Sequence, residues 1–130
     1  MLDRIDIHIE VPAVPYSELS SRETGELSSA IRTRVEQARK IQQQRLTGKS
    51  KVSSNARMSS KLIKIYCQLD ESGQEMLKMA MSDLNFSARA YDRILKVART
   101  IADLDNSGHI QASHLGEAIQ YRTLDRNMWI

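Results

Sequence analysis

The sequence predicts a mainly α-helical protein: an antiparallel helical bundle preceded by one β-strand with no partner in the chain. Three observations point there. From Ser87 to Asp105, the residues Tyr91, Ile94, Leu95, Ala98, Ile101 and Ala102 recur at helical spacing and form one apolar stripe. Cap and turn signals recur at short intervals, at Ser28, Gly48, Ser59 or Ser60, Asp70 or Ser72, Ser87, Gly108 and Ser113. Near the start, Ile5, Ile7, Ile9 and Val11 alternate with Asp6, His8 and Glu10, the period of a strand with one apolar face.

Pro12 and Pro15 end that strand. A lone strand is unstable and no second one is readable, so the chain is expected to be a fragment of a larger protein. Tyr16 to Leu27 is polar, carries Gly25 and reads as a connector. Ser28 is expected to cap a helix running to about Leu46, with a thin stripe of Ile31, Val35, Ala38 and Ile41, ended by Gly48. The Thr47 to Asn55 stretch is a loop rich in Ser, Lys and Gly. A short helix through Leu69 follows, with Leu62, Ile63, Ile65 and Tyr66 apolar. Ser72 with Glu75 matches a capping box for the next helix, whose buried face is Met76, Leu77, Ala80 and Leu84. The helix from Ser87 comes next, then a turn carrying Gly108. Ser113 is expected to cap a last helix with Leu115, Ala118, Ile119 and Tyr121.

A chain of 130 residues fits one domain, or one domain with an arm. With only one Phe and one Trp, the core must be filled by Leu, Ile, Met and Ala. The net charge of +3 hides an uneven distribution: residues 32–64 carry ten Lys or Arg and one acid, Glu36, whereas the flanking segments are net acidic. Such a segment attracts phosphate, an acidic protein surface or an anionic membrane. Cys67 is the only cysteine, which excludes an internal disulfide and a cysteine-based zinc site and fits a reducing compartment. No stretch approaches the roughly 20 apolar residues that cross a bilayer, and Asp3, Arg4 and Asp6 interrupt any signal-peptide core. The expectation is a cytoplasmic protein with no membrane partner.

Three motifs fail on their own chemistry. Gly48-Lys49-Ser50 resembles the end of a P-loop, but Gln43 stands where the first glycine belongs, and a helix precedes it instead of a strand. Asp103, Asp105, Ser107, Gly108 and Ile110 imitate a calcium loop, but His114 occupies the position that needs a bidentate carboxylate. An Asx-rich interhelical turn is the favoured reading there. His8, His109 and His114 lack the spacing of a transition-metal site, so no metal site is expected.

In the helix from Ser87, Arg89, Arg93, Lys96 and Thr100 fall opposite the apolar stripe. A solvated helix face is the ordinary reading of this pattern. The alternative is a phosphate-facing arginine: Arg89 sits in the first turn, where the helix dipole already favours an anion.

The segments Leu2-Asp3-Arg4-Ile5-Asp6, Ser87-Ala88-Arg89-Ala90-Tyr91-Asp92-Arg93-Ile94, Ala98-Arg99-Thr100-Ile101-Ala102-Asp103-Leu104 and Tyr121-Arg122 together resemble the C-terminal part of the AAA+ ATPases of the magnesium-chelatase-like family. The resemblance implies that residues 1–15 are the last strand of an ATPase core, residues 16–57 a connector and basic helix, and residues 58–130 a helical lid. It implies that Arg4 is a catalytic arginine finger offered to a neighbouring subunit's ATP, and that Arg89 is the nucleotide-binding sensor 2 arginine. A guanidinium suits both roles, since phosphoryl transfer spreads charge over the γ-phosphate oxygens. The implied partners are the chain's own ATPase core and the neighbouring subunits of a ring, expected to be hexameric, whose ATP hydrolysis remodels DNA. No Walker A or Walker B segment exists in these residues. ATP with Mg2+ therefore belongs to the parent protein, and this chain alone is expected neither to retain the nucleotide nor to hydrolyse it.

A second reading is a nucleic-acid-binding helical module. In it Arg32, Arg39, Lys40, Arg45, Lys49 and Lys51 of the basic segment grip DNA phosphates without reading bases. The segment lacks the interleaved aromatics of a single-strand stacking surface. The favoured reading of the segment is a solvated helix, or one packed on an acidic face of the ATPase core.

Overall fold

Side chains that accept from free first-turn amides set most of the helix starts. The computed structural model describes residues 5–9, 25–48 and 53–122, and among these five helices follow one another. They are α1 (Ser28–Leu46), α2 (Ser60–Tyr66), α3 (Glu71–Asp83), α4 (Ala88–Leu104) and α5 (Ala112–Gln120), with a 3-10 turn, Asn55–Arg57, between α1 and α2. Ser59, Asp70 and Ser87 cap α2, α3 and α4, accepting from the amides of Leu62, Gly73 and Ala90. Gly48 takes the left-handed conformation just past α1, with φ of 78°, which costs a glycine nothing. Three sequence-predicted caps are corrected. The Ser72–Glu75 capping box does not start α3, because Asp70 is its cap and Ser72 lies inside the helix. Ser28 is the first helical residue of α1, preceded by Leu27 with no side-chain cap, and α5 begins from Gln111 with His114 closing a capping box.

The central element is α4. Helices α1, α2 and α5 and the 3-10 turn all pack on it, while α3 packs on α5. Contact on several sides explains why Ala90, Ile94, Leu95, Val97, Ala98 and Ala102 are all buried. The face expected to be solvated is partly covered as well. Lys96 Nζ donates to the Ala56 carbonyl at 3.0 Å, and Asn55 Nδ2 donates to Thr100 Oγ1 at 3.0 Å. Tyr91, expected in the buried stripe, is half exposed, because it lines an open cleft of about 670 Å³ between α2, α3 and α4. In α1 only the second half is packed, through Ala38, Gln42 and Leu46. Every residue from Gly25 to Arg34 is exposed, Ile31 included.

The expected β-strand is not formed over the described residues 5–9, and residues 1–4 and 10–15 of that expectation lie outside the described residues. The only β pairing among the described residues is a parallel bridge between Leu69 and Ile110. The alternation is real, but its sense is reversed. Ile5, Ile7 and Ile9 face water at 46%, 46% and 67% exposure, while Asp6 and His8 are the half-buried positions. The bundle offers this segment arginines and a carbonyl, so its polar side docks.

Between the helices lies a buried ionic centre. The Asp103 carboxylate has no exposed area, and Arg45 forks onto it at 2.5 and 3.1 Å. Arg99 Nε donates to it at 3.2 Å and Asn55 Nδ2 at 2.9 Å. Arg99 continues to the carbonyls of Ser107, at 2.7 Å, and Gly108, at 3.3 Å. Gln42 Oε1 accepts from the Asn55 amide at 3.0 Å. One carboxylate thus joins α1, the 3-10 turn, α4 and the α4–α5 turn. Burial pushes the Arg99 guanidinium pKa down, and the Asp103 charge opposes that shift. Removing one partner of such a group leaves uncompensated buried charge. Asp103→Ala is therefore expected to cost about 3–5 kcal/mol in urea unfolding, more than an ordinary surface substitution.

Cys67 belongs to the same core and is 4% exposed. Burial raises its pKa from 9.0 to about 11, against the pull of the Arg99 and Arg45 charges. The unfolded thiol ionises first, so this contribution to stability is complete below pH 9 and lost as pH rises through 11. Between those two pH values the protein is expected to lose about 2–3 kcal/mol more stability than its Cys67→Ala variant, measured by urea unfolding at each pH. Parallel curves for the two proteins would contradict this.

Candidate functional site

Three segments far apart in sequence meet at the start of α4. Ser87 caps the helix, Arg89 stands exposed in its first turn, and Arg93 follows one turn later. The Arg93 guanidinium pairs with the Asp6 carboxylate. From the end of α5, Arg122 Nη1 donates to the Ile5 carbonyl, and the His8 amide donates to the Tyr121 carbonyl at 2.8 Å. Residues 5–9 are therefore held at Ile5, Asp6 and His8, by side chains and backbone from both helices. Arg122 has no exposed area, so its bond to Ile5 is made out of water, where an ionised donor binds more strongly.

Of the sequence-predicted site residues, Arg89 is on the surface at the first turn of α4. Arg4 lies outside the described residues, but it directly precedes Ile5, whose carbonyl Arg122 holds. The structure brings together the segment that follows Arg4 and the helix that carries Arg89. In the basic segment, Arg32, Arg39 and Lys40 are exposed on α1. Arg45 is corrected: its side chain is only 15% exposed and is spent on Asp103, so it does not belong with the outward cations. Lys49 and Lys51 lie outside the described residues.

The calcium-like spacing resolves into other bonds. Asp103 is held by the two arginines, and Asp105 Oδ2 lies 2.9 Å from His114 Nε2. His114 Nδ1 accepts from the Gln111 amide at 3.0 Å, so the ring proton sits on Nε2 and is donated to Asp105. Asn106 completes the turn with φ of 54°, a conformation asparagine tolerates. Among the described residues, no three His, Cys, Asp or Glu side chains come together as metal ligands.

Sequence reasoning passed over Asp6, Arg93 and Arg122 as a contact set. In the sequence pattern Asp6 belongs to the polar side of a strand, and Arg93 to a row of cations. Only the fold brings them within reach, over separations of 87 and 117 residues.

Comparison with known proteins gives the family. A family model described as magnesium chelatase, subunit ChlI C-terminal, matches residues 25–122. The chain is 43% identical over 126 residues to the competence protein ComM of Haemophilus influenzae, covering 96% of this chain and 24% of that protein. It is 40% identical to the uncharacterized protein YifB of Escherichia coli K12 and 38% identical to YifB of Salmonella typhimurium, with the same coverage. The chain thus spans about a quarter of the length of these curated relatives. Both the extent of the match to the family model and the level of identity lead to one conclusion: the chain belongs to the magnesium chelatase ChlI C-terminal family.

Proposed function

We propose that the chain is the C-terminal lid of a ring-forming AAA+ ATPase, with Arg89 as its sensor 2 arginine and Arg4 as an arginine finger toward a neighbouring subunit. The observation that carries this reading is the exposed Arg89 on the first turn of the central helix. A helix start already attracts anions through its free amides and dipole, and a guanidinium beside them adds a planar donor fork for phosphate oxygens. Family membership supports the same role. The ATP phosphates and Mg2+ would be cradled by the parent's ATPase core, because these residues hold neither a Walker A nor a Walker B segment. What the chain contributes is a pair of guanidiniums that stabilise charge developing on the γ-phosphate. The energy released would drive remodelling of DNA, as the likeness to a competence protein suggests. A cytoplasmic location suits such a motor.

In the full-length protein, Arg89→Ala is expected to lower ATP turnover about 100-fold or more, with the helical content by circular dichroism unchanged. Unchanged turnover would remove Arg89 from the site. Mixing Arg4→Ala subunits with wild-type subunits is expected to depress turnover more steeply than dilution, since a finger acts on its neighbour's nucleotide.

A second reading rests on the outward cations Arg32, Arg39 and Lys40 on the projecting half and middle of α1. They would hold a DNA backbone without reading its sequence. Binding of duplex DNA that weakens with salt, and that is lost in an Arg39→Glu, Lys40→Glu variant, would support it. No binding at low salt would discard it.

A further inference from the structure

We propose that Arg93 and Arg122 are positioning residues: they clamp residues 5–9, the segment that follows Arg4 in the sequence, onto the start of the helix that carries Arg89. This rests on the roles proposed above for Arg4 and Arg89, and it adds the part that links them.

The geometry has three components. Arg93 lies four residues after Arg89 on the same helical face. Its partner Asp6 stands two positions after Arg4 in the sequence. Arg122, fully buried, grips the Ile5 carbonyl, and the His8 amide is fixed to Tyr121 at 2.8 Å. The two arginines do different work. The Arg93–Asp6 pair is partly exposed, with 28% and 44% of the side chains open to water, so alone it is a weak fastener. It sets direction, because Asp6 has to stay beside the first turns of α4. Arg122 supplies the dry anchor, since its guanidinium has no water to exchange for the Ile5 carbonyl.

A device of this kind has a functional consequence. If nucleotide contact at Arg89 tilts α4, the segment after Arg4 moves with it, because the two share an ion pair one turn from Arg89. The state of one nucleotide site would reach the finger pointed at the next. The coupling travels through a short physical path of named bonds.

The test uses the full-length protein and its ATP turnover, with amide exchange as a readout of the clamp itself. Arg93→Ala and Asp6→Ala are each expected to lower kcat about 10- to 100-fold with KM for ATP nearly unchanged, as for a misplaced group that acts only in the transition state. The swapped pair, Asp6→Arg with Arg93→Asp, is expected to restore most of kcat. In the 130-residue chain the His8 amide is expected to exchange faster in Arg93→Ala and to regain protection in the swap. Arg122→Lys, which keeps the charge but loses the fork, is expected to fold and to show the same loss of kcat. Full kcat in Arg93→Ala, a change confined to KM, or no recovery in the swap would overturn the clamp, provided Arg89→Ala and Arg4→Ala do lower turnover. If those two variants are also fully active, the underlying reading fails, and the clamp falls with it.

Discussion

A single carboxylate withdrawn from water holds the helices in register. Asp103 lies between the guanidiniums of Arg45 and Arg99, with Asn55 closing the set. Two positive charges on one negative charge leave a net cation inside the protein. The carbonyls of Ser107 and Gly108 absorb part of it, and that requirement fixes the α4–α5 turn. A buried ionic set of this kind adds little stability over a well-packed apolar core, but each member becomes costly to lose. Its value here is directional. It locks α4 against α1 and sets the path of α5, and those two constraints place Arg93 and Arg122 on the same side of the molecule.

From that placement the proposed functional surface follows. The start of α4 and the end of α5 together form the dock for residues 5–9, and the dock is built of arginines and a backbone carbonyl. The N-terminal segment answers with a carboxylate, a carbonyl and an amide, and turns its isoleucines outward. Beside this junction stands Arg89. The arrangement suits the role proposed for Arg89: its side chain is exposed, while the buried Arg122 anchors the neighbouring segment.

Much of this was legible in the sequence, and what was not has identifiable causes. The extent of α1, its end at Gly48 and the cap at Ser87 depend on residues within one or two turns, so pattern reading finds them. The interhelical turn at Asn106 and Gly108 was readable in the same way, from the Asx and glycine residues that carry it. The role of the buried charges was not. Arg99 and Asp103 are four residues apart on one helix, and the partners that make the site an interior one, Arg45 and Asn55, come from 58 and 48 residues away. Arg45 was misplaced for the same reason, since its neighbours in sequence are outward cations. The strand expectation failed because period two reveals two faces but not which of them will find a partner. Here the available partners were Arg93 and Arg122, so Asp6 won over the isoleucines. Tyr91 matched the helical stripe, but the stripe runs past the edge of the core into an open cleft.

The central claim is that Arg89 and the segment after Arg4 act as one unit on phosphate supplied from outside the chain. The most direct measurement is a structure of the full-length protein with a non-hydrolysable ATP analogue. The account expects the Arg89 guanidinium on a phosphate oxygen with the Asp6–Arg93 pair intact in the same subunit. An occupied nucleotide site with Arg89 turned to solvent, or with Asp6 and Arg93 apart, would contradict it.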